Sequence, residues 1–209
     1  MKTTKATITL IALAGAFCLT TSAFAQDIGA KIESVQKNLA TVKANYLDAQ
    51  INIGKALGIK EDSLKALENA MALASSSKDK DTKTVKTATD AATKAIQESM
   101  QKGTALSDAA KEQFKAGAEK FGTGLVTQVA QIPTVKSIVT EGQAAIKSGN
   151  PVQKAKLTKA LAPATSLASS LPGDVKAAGE TAKMILDFSN KNNIKVPSLE
   201  GAVSGLDSL

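Results

Sequence analysis

The chain has 209 residues, of which 43% are hydrophobic and only 3% aromatic, and its net charge is +7. All 26 basic residues are lysines, there is no histidine, and there is a single cysteine. The lack of histidine excludes His-based catalytic triads, the usual zinc sites and His-ligated haem. The lack of arginine removes the bidentate fork that phosphate and nucleic-acid sites favour, and the few aromatic rings argue against base stacking, so we expect no nucleic-acid partner.

Residues 1–25 have the three-part order of a secretory signal peptide. Two lysines near the start precede an apolar stretch over residues 6–19, which is too short to span a bilayer. The small-x-small sequence Ala23-Phe24-Ala25 then provides a cleavage site. We therefore predict cleavage after Ala25 and export to the periplasm or to the outside of a bacterial cell.

The single cysteine, Cys18, lies within this predicted signal peptide. Phe17, which precedes it, is unlike the small residue that lipoprotein processing requires, so we favour cleavage at Ala25 over lipidation. The exported protein would then contain no cysteine, and hence no disulfide, no thiolate nucleophile and no iron–sulfur cluster. No later stretch is apolar enough to predict a transmembrane span.

After the signal peptide, apolar residues recur at alternating intervals of four and three. This heptad-like spacing predicts one long helix that ends near Leu57, where Gly54 and Gly58 weaken it. The apolar seam could bind a helix of another chain, although packing inside its own bundle is the favoured interpretation. The seam consists of Ile28, Ile32, Val35, Leu39, Val42, Tyr46, Ala49 and Ile53.

The rest of the chain predicts further amphipathic helices and no convincing strand. Gly122, Gly124 and Pro133 indicate a break and a new helix, and Pro151 and Pro172 each indicate a further boundary. The predicted fold is therefore all-α, a bundle of about six or seven amphipathic helices. The predicted organisation is a bundle domain over 26–196 with a candidate sub-boundary near 122–133, a solvated loop over 75–81, and a flexible tail over 197–209.

The helix that follows Asn150 is basic and amphipathic. Its apolar face and its flanking lysines suit either an anionic lipid surface, an apolar ligand or the core of the bundle, and core packing is favoured. The candidate lipid-surface or ligand-facing residues are Lys154, Lys156, Leu157, Leu161, Leu167 and Leu171.

No catalytic constellation is evident. The adjacent acidic pair Glu61-Asp62 stands where a helix is predicted to start, and compensation of the helix dipole accounts for it better than a hydrolase site. Phosphate-loop and dinucleotide-binding patterns are missing, and Asp79 and Asp81 alternate with lysines, unlike a calcium loop.

These observations predict an exported, non-catalytic protein of the cell envelope with no metal and no cofactor. The leading expectation is a structural or protein-interaction role, with a protein partner or self-association. The alternative is a periplasmic carrier of lipids or other apolar ligands, which would need a cleft between its helices.

Overall fold

The computed structural model describes residues 23–75, 82–148 and 151–206, and 91% of these residues are helical with no strand among them, which confirms the all-α prediction. The predicted signal peptide up to residue 22, including Cys18, and residues 76–81 of the predicted loop lie outside the described residues. The helices in this part of the chain are α1 (Ala23–Ala56), α2 (Glu61–Ser75), α3 (Thr82–Gln101), α4 (Asp108–Ser148), α5 (Pro151–Lys191) and α6 (Pro197–Leu206).

The pair of α1 and α4 forms the largest helix contact. Gly117 lies against Ile53, and further along α4 the residue Gly124 lies against the ring of Tyr46. Residue numbers therefore fall along α1 as they rise along α4, so the two helices are antiparallel. A Cβ at Gly117 would lie 2.9 Å from the backbone oxygen of Ala49, so glycine allows the two backbones to approach closely.

Helix α5 packs on α4, again antiparallel. The Phe188 ring lies 5.0 Å from the Phe114 ring, near the end of α5 and the start of α4, while Leu161 lies against Gly142 at the other end of the contact. α1, α4 and α5 share one hydrophobic core. On another face of α1, α2 and α3 form a smaller cluster, which consists of Leu47, Ile51, Leu67, Ala70 and Ala92.

The predicted break and new helix in the region of residues 122–133 are wrong, because α4 continues through Gly122, Gly124 and Pro133. Glycine costs only about 1 kcal/mol in a helix relative to alanine. Here both glycines admit close neighbours, since Gly122 lies against the backbone of α6 and Gly124 against Tyr46. Pro133 is on the exposed side of α4, where its ring meets solvent. The candidate sub-boundary therefore falls inside a single helix.

The predicted boundary at Pro172 is also wrong, because α5 continues to Lys191 with Pro163 and Pro172 inside it. An interior proline costs about 3 kcal/mol. The buried stripe of α5 nevertheless continues in one helical phase from Leu157 to Phe188, and each large apolar side chain in it contributes about 2 kcal/mol when buried. A break would rotate half of this stripe away from the core.

Residues 197–206, which belong to the predicted flexible tail, form the helix α6. Leu199 is fully buried and Ala202 nearly so. Asn193, with a φ of 57°, ends the preceding α5 in a left-handed turn and directs the chain back over α4. α6 has only about three helical turns, and a helix of this length is marginally stable on its own. The burial of Leu199 and Ala202 on the core stabilises it.

Candidate functional site

The predicted partner seam on α1 lies in the interior of the protein. Leu39 is half-buried, and the remaining seam residues are buried, with exposed fractions of 8% or less. The ring of Tyr46 packs 4.7 Å from that of Phe121 on α4. The surface that sequence analysis offered to another chain is therefore covered by α4 of the same chain.

Polar side chains reinforce the contact between α1 and α4. The amide of Asn38 donates to Gln131 Oε1 at 3.2 Å. At one end Lys31 Nζ donates to Glu141 Oε2 at 2.7 Å, and this bond raises the pKa of Lys31 and lowers that of Glu141. Glu141 also accepts a bond from Ser137 at 2.7 Å, which lowers its pKa further.

The predicted lipid-surface helix corresponds to the first half of α5. Lys154 and Lys156 are exposed, as a lipid-facing role requires. The four leucines of the predicted face, however, are all buried in the shared core: Leu157, Leu161, Leu167 and Leu171. The apolar part of this candidate surface is therefore occupied by the protein itself.

A polar group stands between α1 and α5. Asp174 is half-buried, and this burial raises the pKa of its carboxyl group to about 6. Burial also raises the pKa of the Tyr46 phenol, with a smaller contribution from the charge of Asp174. One turn before Asp174, the hydroxyl of Ser170 is buried and has no hydrogen-bond partner among the described residues. Asp174 makes no ion pair within that part of the chain.

A pocket with a volume of about 380 Å³ opens between α4, α5 and the end of α6. Its apolar lining comes from all three helices and consists of Ile132, Pro172, Val175, Gly179 and Leu206. Ile132 and Val175 belong to the buried core, whereas Leu206 packs on Gly179 and forms the wall that α6 contributes. This volume lies toward the lower end of the range for small-molecule sites, about 300–1,000 Å³.

Charged residues of both signs also line this pocket, with a positive excess. Lys136 comes from α4, and Lys176, Glu180 and Lys183 come from α5. All four are exposed residues, so their charged groups lie at the opening rather than on the floor. The arrangement of an apolar floor below a rim of net positive charge suits a molecule with an apolar body and an anionic end.

Sequence analysis missed this pocket, although one signal for it was present. Pro172, Lys176, Gly179 and Lys183 recur at intervals of four, three and four, so they share one face of α5. The predicted boundary at Pro172 hid part of this face, because it separated Pro172 from the predicted helix that carries Lys176, Gly179 and Lys183. The remaining walls come from α4 and α6, and no local pattern indicates that they lie beside α5.

The acidic pair Glu61-Asp62 lies exposed in the first turn of α2, where negative charge stabilises a helix.

Within residues 23–75, 82–148 and 151–206, no group of three His, Cys, Asp or Glu side chains could hold a metal ion. No helix in the same residues is long and apolar enough to cross a membrane. Comparisons with protein-family models, with curated proteins and with solved structures found no match to this chain.

Proposed function

We propose that this protein is an exported, non-catalytic binder or carrier of a small apolar or amphiphilic ligand in the bacterial cell envelope. The observation that carries this proposal is the pocket between α4, α5 and α6, with its apolar floor and lysine rim. The alternative surfaces offer less, because the apolar residues of the α1 seam and of the first half of α5 are used in the core.

The proposed export rests on the order of charge, apolar stretch and small residues in the first 25 positions. Cleavage after Ala25 is compatible with the fold, since fully buried Ile28 lies beyond the cleavage site and would stay in the mature protein. Processing would remove only the first three residues of α1, which begins at Ala23.

In this proposal the helices form a bundle that acts as a scaffold for the pocket. The heptad-like seam of α1 serves to hold α4, and α4 in turn presents Ile132 and Lys136 to the ligand. The antiparallel contacts of α4 with both α1 and α5 support this role, because two neighbouring helices hold α4 in place.

The test is to purify the processed protein gently from its own envelope and to identify extracted small molecules by mass spectrometry. We expect a stoichiometric amphiphile in the wild-type protein and none in Ile132→Trp, whose larger side chain fills the pocket. Val126→Trp is the matched control, because Val126 is 53% exposed on the same helix and does not line the pocket. Circular dichroism checks that both variants stay folded.

An empty wild-type protein would overturn the carrier proposal. Retention of the ligand by Ile132→Trp would show that the ligand binds elsewhere. An empty wild-type protein would make the structural or protein-interaction role the leading candidate, whereas retention by the variant would keep the carrier function and reject this pocket as its site.

The structural role has one observation in its favour, the length of the helices. α4 and α5 each contain 41 residues, which corresponds to about 60 Å. A structural protein should form large assemblies in analytical ultracentrifugation, whereas a carrier should sediment as a small species. Leu39→Asp would not separate the two roles, since Leu39 packs against the core and its replacement would loosen the fold itself.

A further inference from the structure

We infer that the pocket between α4, α5 and α6 selects a single-chain amphiphile with an anionic headgroup, such as a medium-chain carboxylate. This inference rests on the proposed function and narrows it to one class of ligand. It depends on three properties of the pocket: the charge at its opening, its volume and the closure of one wall by α6.

The charge at the opening favours an anion. Lys136 on α4 and Lys176 on α5 line the same pocket from different helices, and neither makes an ion pair with another described residue. Lys183 adds a third positive charge, and Glu180 contributes one negative charge. A headgroup at the opening could therefore contact ammonium groups from two helices, and charge-assisted hydrogen bonds to them are stronger than neutral ones.

The volume sets the size of the ligand. The pocket, at about 380 Å³, is toward the lower end of the range for small-molecule sites. A phospholipid with two acyl chains is several times larger and would have to leave most of its apolar surface in water. A single chain of eight to ten carbons with a small headgroup matches the space.

The walls explain why an apolar chain would enter. Ile132 and Val175 form a floor that belongs to the hydrophobic core, and Pro172 adds an apolar surface without a backbone donor. Leu206 of α6 packs on Gly179 and closes one side of the pocket. Burial of a methylene group in such surroundings contributes about 0.8 kcal/mol, so chain length should increase the affinity.

The test compares three probes with the same ten-carbon chain by isothermal titration calorimetry, below their micelle-forming concentrations. Decanoate carries a negative charge, decanol is neutral and decyltrimethylammonium is positive. We expect decanoate to bind about tenfold more tightly than decanol, as one or two charge-assisted contacts predict, and the cation to bind least. Added salt should weaken the binding of decanoate and leave that of decanol unchanged.

Three lysine variants locate the headgroup. K136Q and K176Q should each weaken decanoate binding by about threefold, within the usual range for exposed charges, without changing the affinity for decanol. K154Q is the matched control, because Lys154 is exposed on α5 and does not line the pocket. An equal loss in K154Q would attribute the binding to the overall positive charge and overturn the site.

The outcomes separate this inference from the proposed function. Equal binding of decanoate and decanol, with loss of both in Ile132→Trp, would keep the carrier function and overturn the choice of an anion. Binding of none of the probes would overturn the ligand class, and the ligand extracted from the envelope-purified protein would then decide whether the carrier function survives.

Discussion

The hydroxyl of Tyr46 on α1 donates a 2.6 Å hydrogen bond to Oε1 of Gln128 on α4, and both residues are buried. The bond crosses the contact between α1 and α4, beside the tilted rings of Tyr46 and Phe121. A buried polar pair lowers the stability of the fold little when each group has its hydrogen-bond partner. Removal of one partner lowers the stability much more, because the remaining group stays buried without a hydrogen bond.

Tyr46→Phe should therefore lower the free energy of unfolding by about 1–2 kcal/mol, because it leaves Gln128 Oε1 without its donor in a buried position. Urea denaturation followed by circular dichroism measures this change. The double variant Tyr46→Phe with Gln128→Met removes both polar groups and should recover part of the loss. Equal stability of wild type and Tyr46→Phe would contradict this account of the contact.

Asp174 should make the stability depend on pH. Burial raises the pKa of its carboxyl group from 3.8 to about 6 in the folded protein, so the folded state binds the proton more tightly than the unfolded state. The resulting stabilisation is fully present below about pH 3.8 and is lost as the pH rises through 6.

Asp174→Asn should consequently be more stable than the wild type at pH 7 and above, by about 1 kcal/mol, a value that allows for screening of a half-exposed carboxylate by water. The difference should shrink steadily as the pH falls toward 4. Urea unfolding of both proteins across this range measures it. A difference that is independent of pH would mean that the substitution acts through packing and not through the charge.

Gly122 should be required for the docking of α6. A Cβ at this position would lie 2.9 Å from the backbone nitrogen of Leu199, and a backbone contact cannot relax by a rotamer change. We expect Gly122→Ala to cost about 1–3 kcal/mol and to increase hydrogen exchange in α6 before the other helices. Gly201→Ala is the control, because nothing lies within 4 Å of a Cβ there, and it should stabilise the helix slightly.

Substitution of Leu167 distinguishes a core role of α5 from a lipid-surface role. It is 3% exposed, so Leu167→Ala should lower the free energy of unfolding by about 2–4 kcal/mol through the cavity it creates. Lys156→Ala on the exposed side of the same helix should change stability by less than about 0.5 kcal/mol. A small effect of Leu167→Ala on stability, combined with weaker binding to vesicles of anionic lipid, would favour the lipid-surface role of this face over the core role.

The spacing of apolar residues alone was enough to predict an all-α protein. It also placed the seam residues between Ile28 and Ile53 on one face of a helix. Helical amphipathicity is a local property, because it depends only on the spacing of apolar residues along the chain. The absence of histidine and arginine, and the position of the only cysteine, limited the chemistry in the same direct way.

Tertiary structure decided that α4 continues through Pro133 and that α5 continues through Pro172. A proline inside a helix costs about 3 kcal/mol, which is enough to end the helix in an isolated segment. In α4 and α5 this cost is smaller than the free energy gained by burying the apolar residues that continue beyond the proline. The same reason explains α6, whose short sequence is helical because Leu199 and Ala202 are buried.

The pocket was decided only by tertiary structure. Lys136, Lys176 and Leu206 come from three different helices, and nothing in the spacing of each helix indicates which face of a neighbour it meets. Close contacts at Gly122 and Gly179 set the position of α6 and thereby complete the wall of the pocket. The sequence by itself determined which residues could be buried and which chemistry was available, whereas the packing of one helix on another determined where the pocket lies.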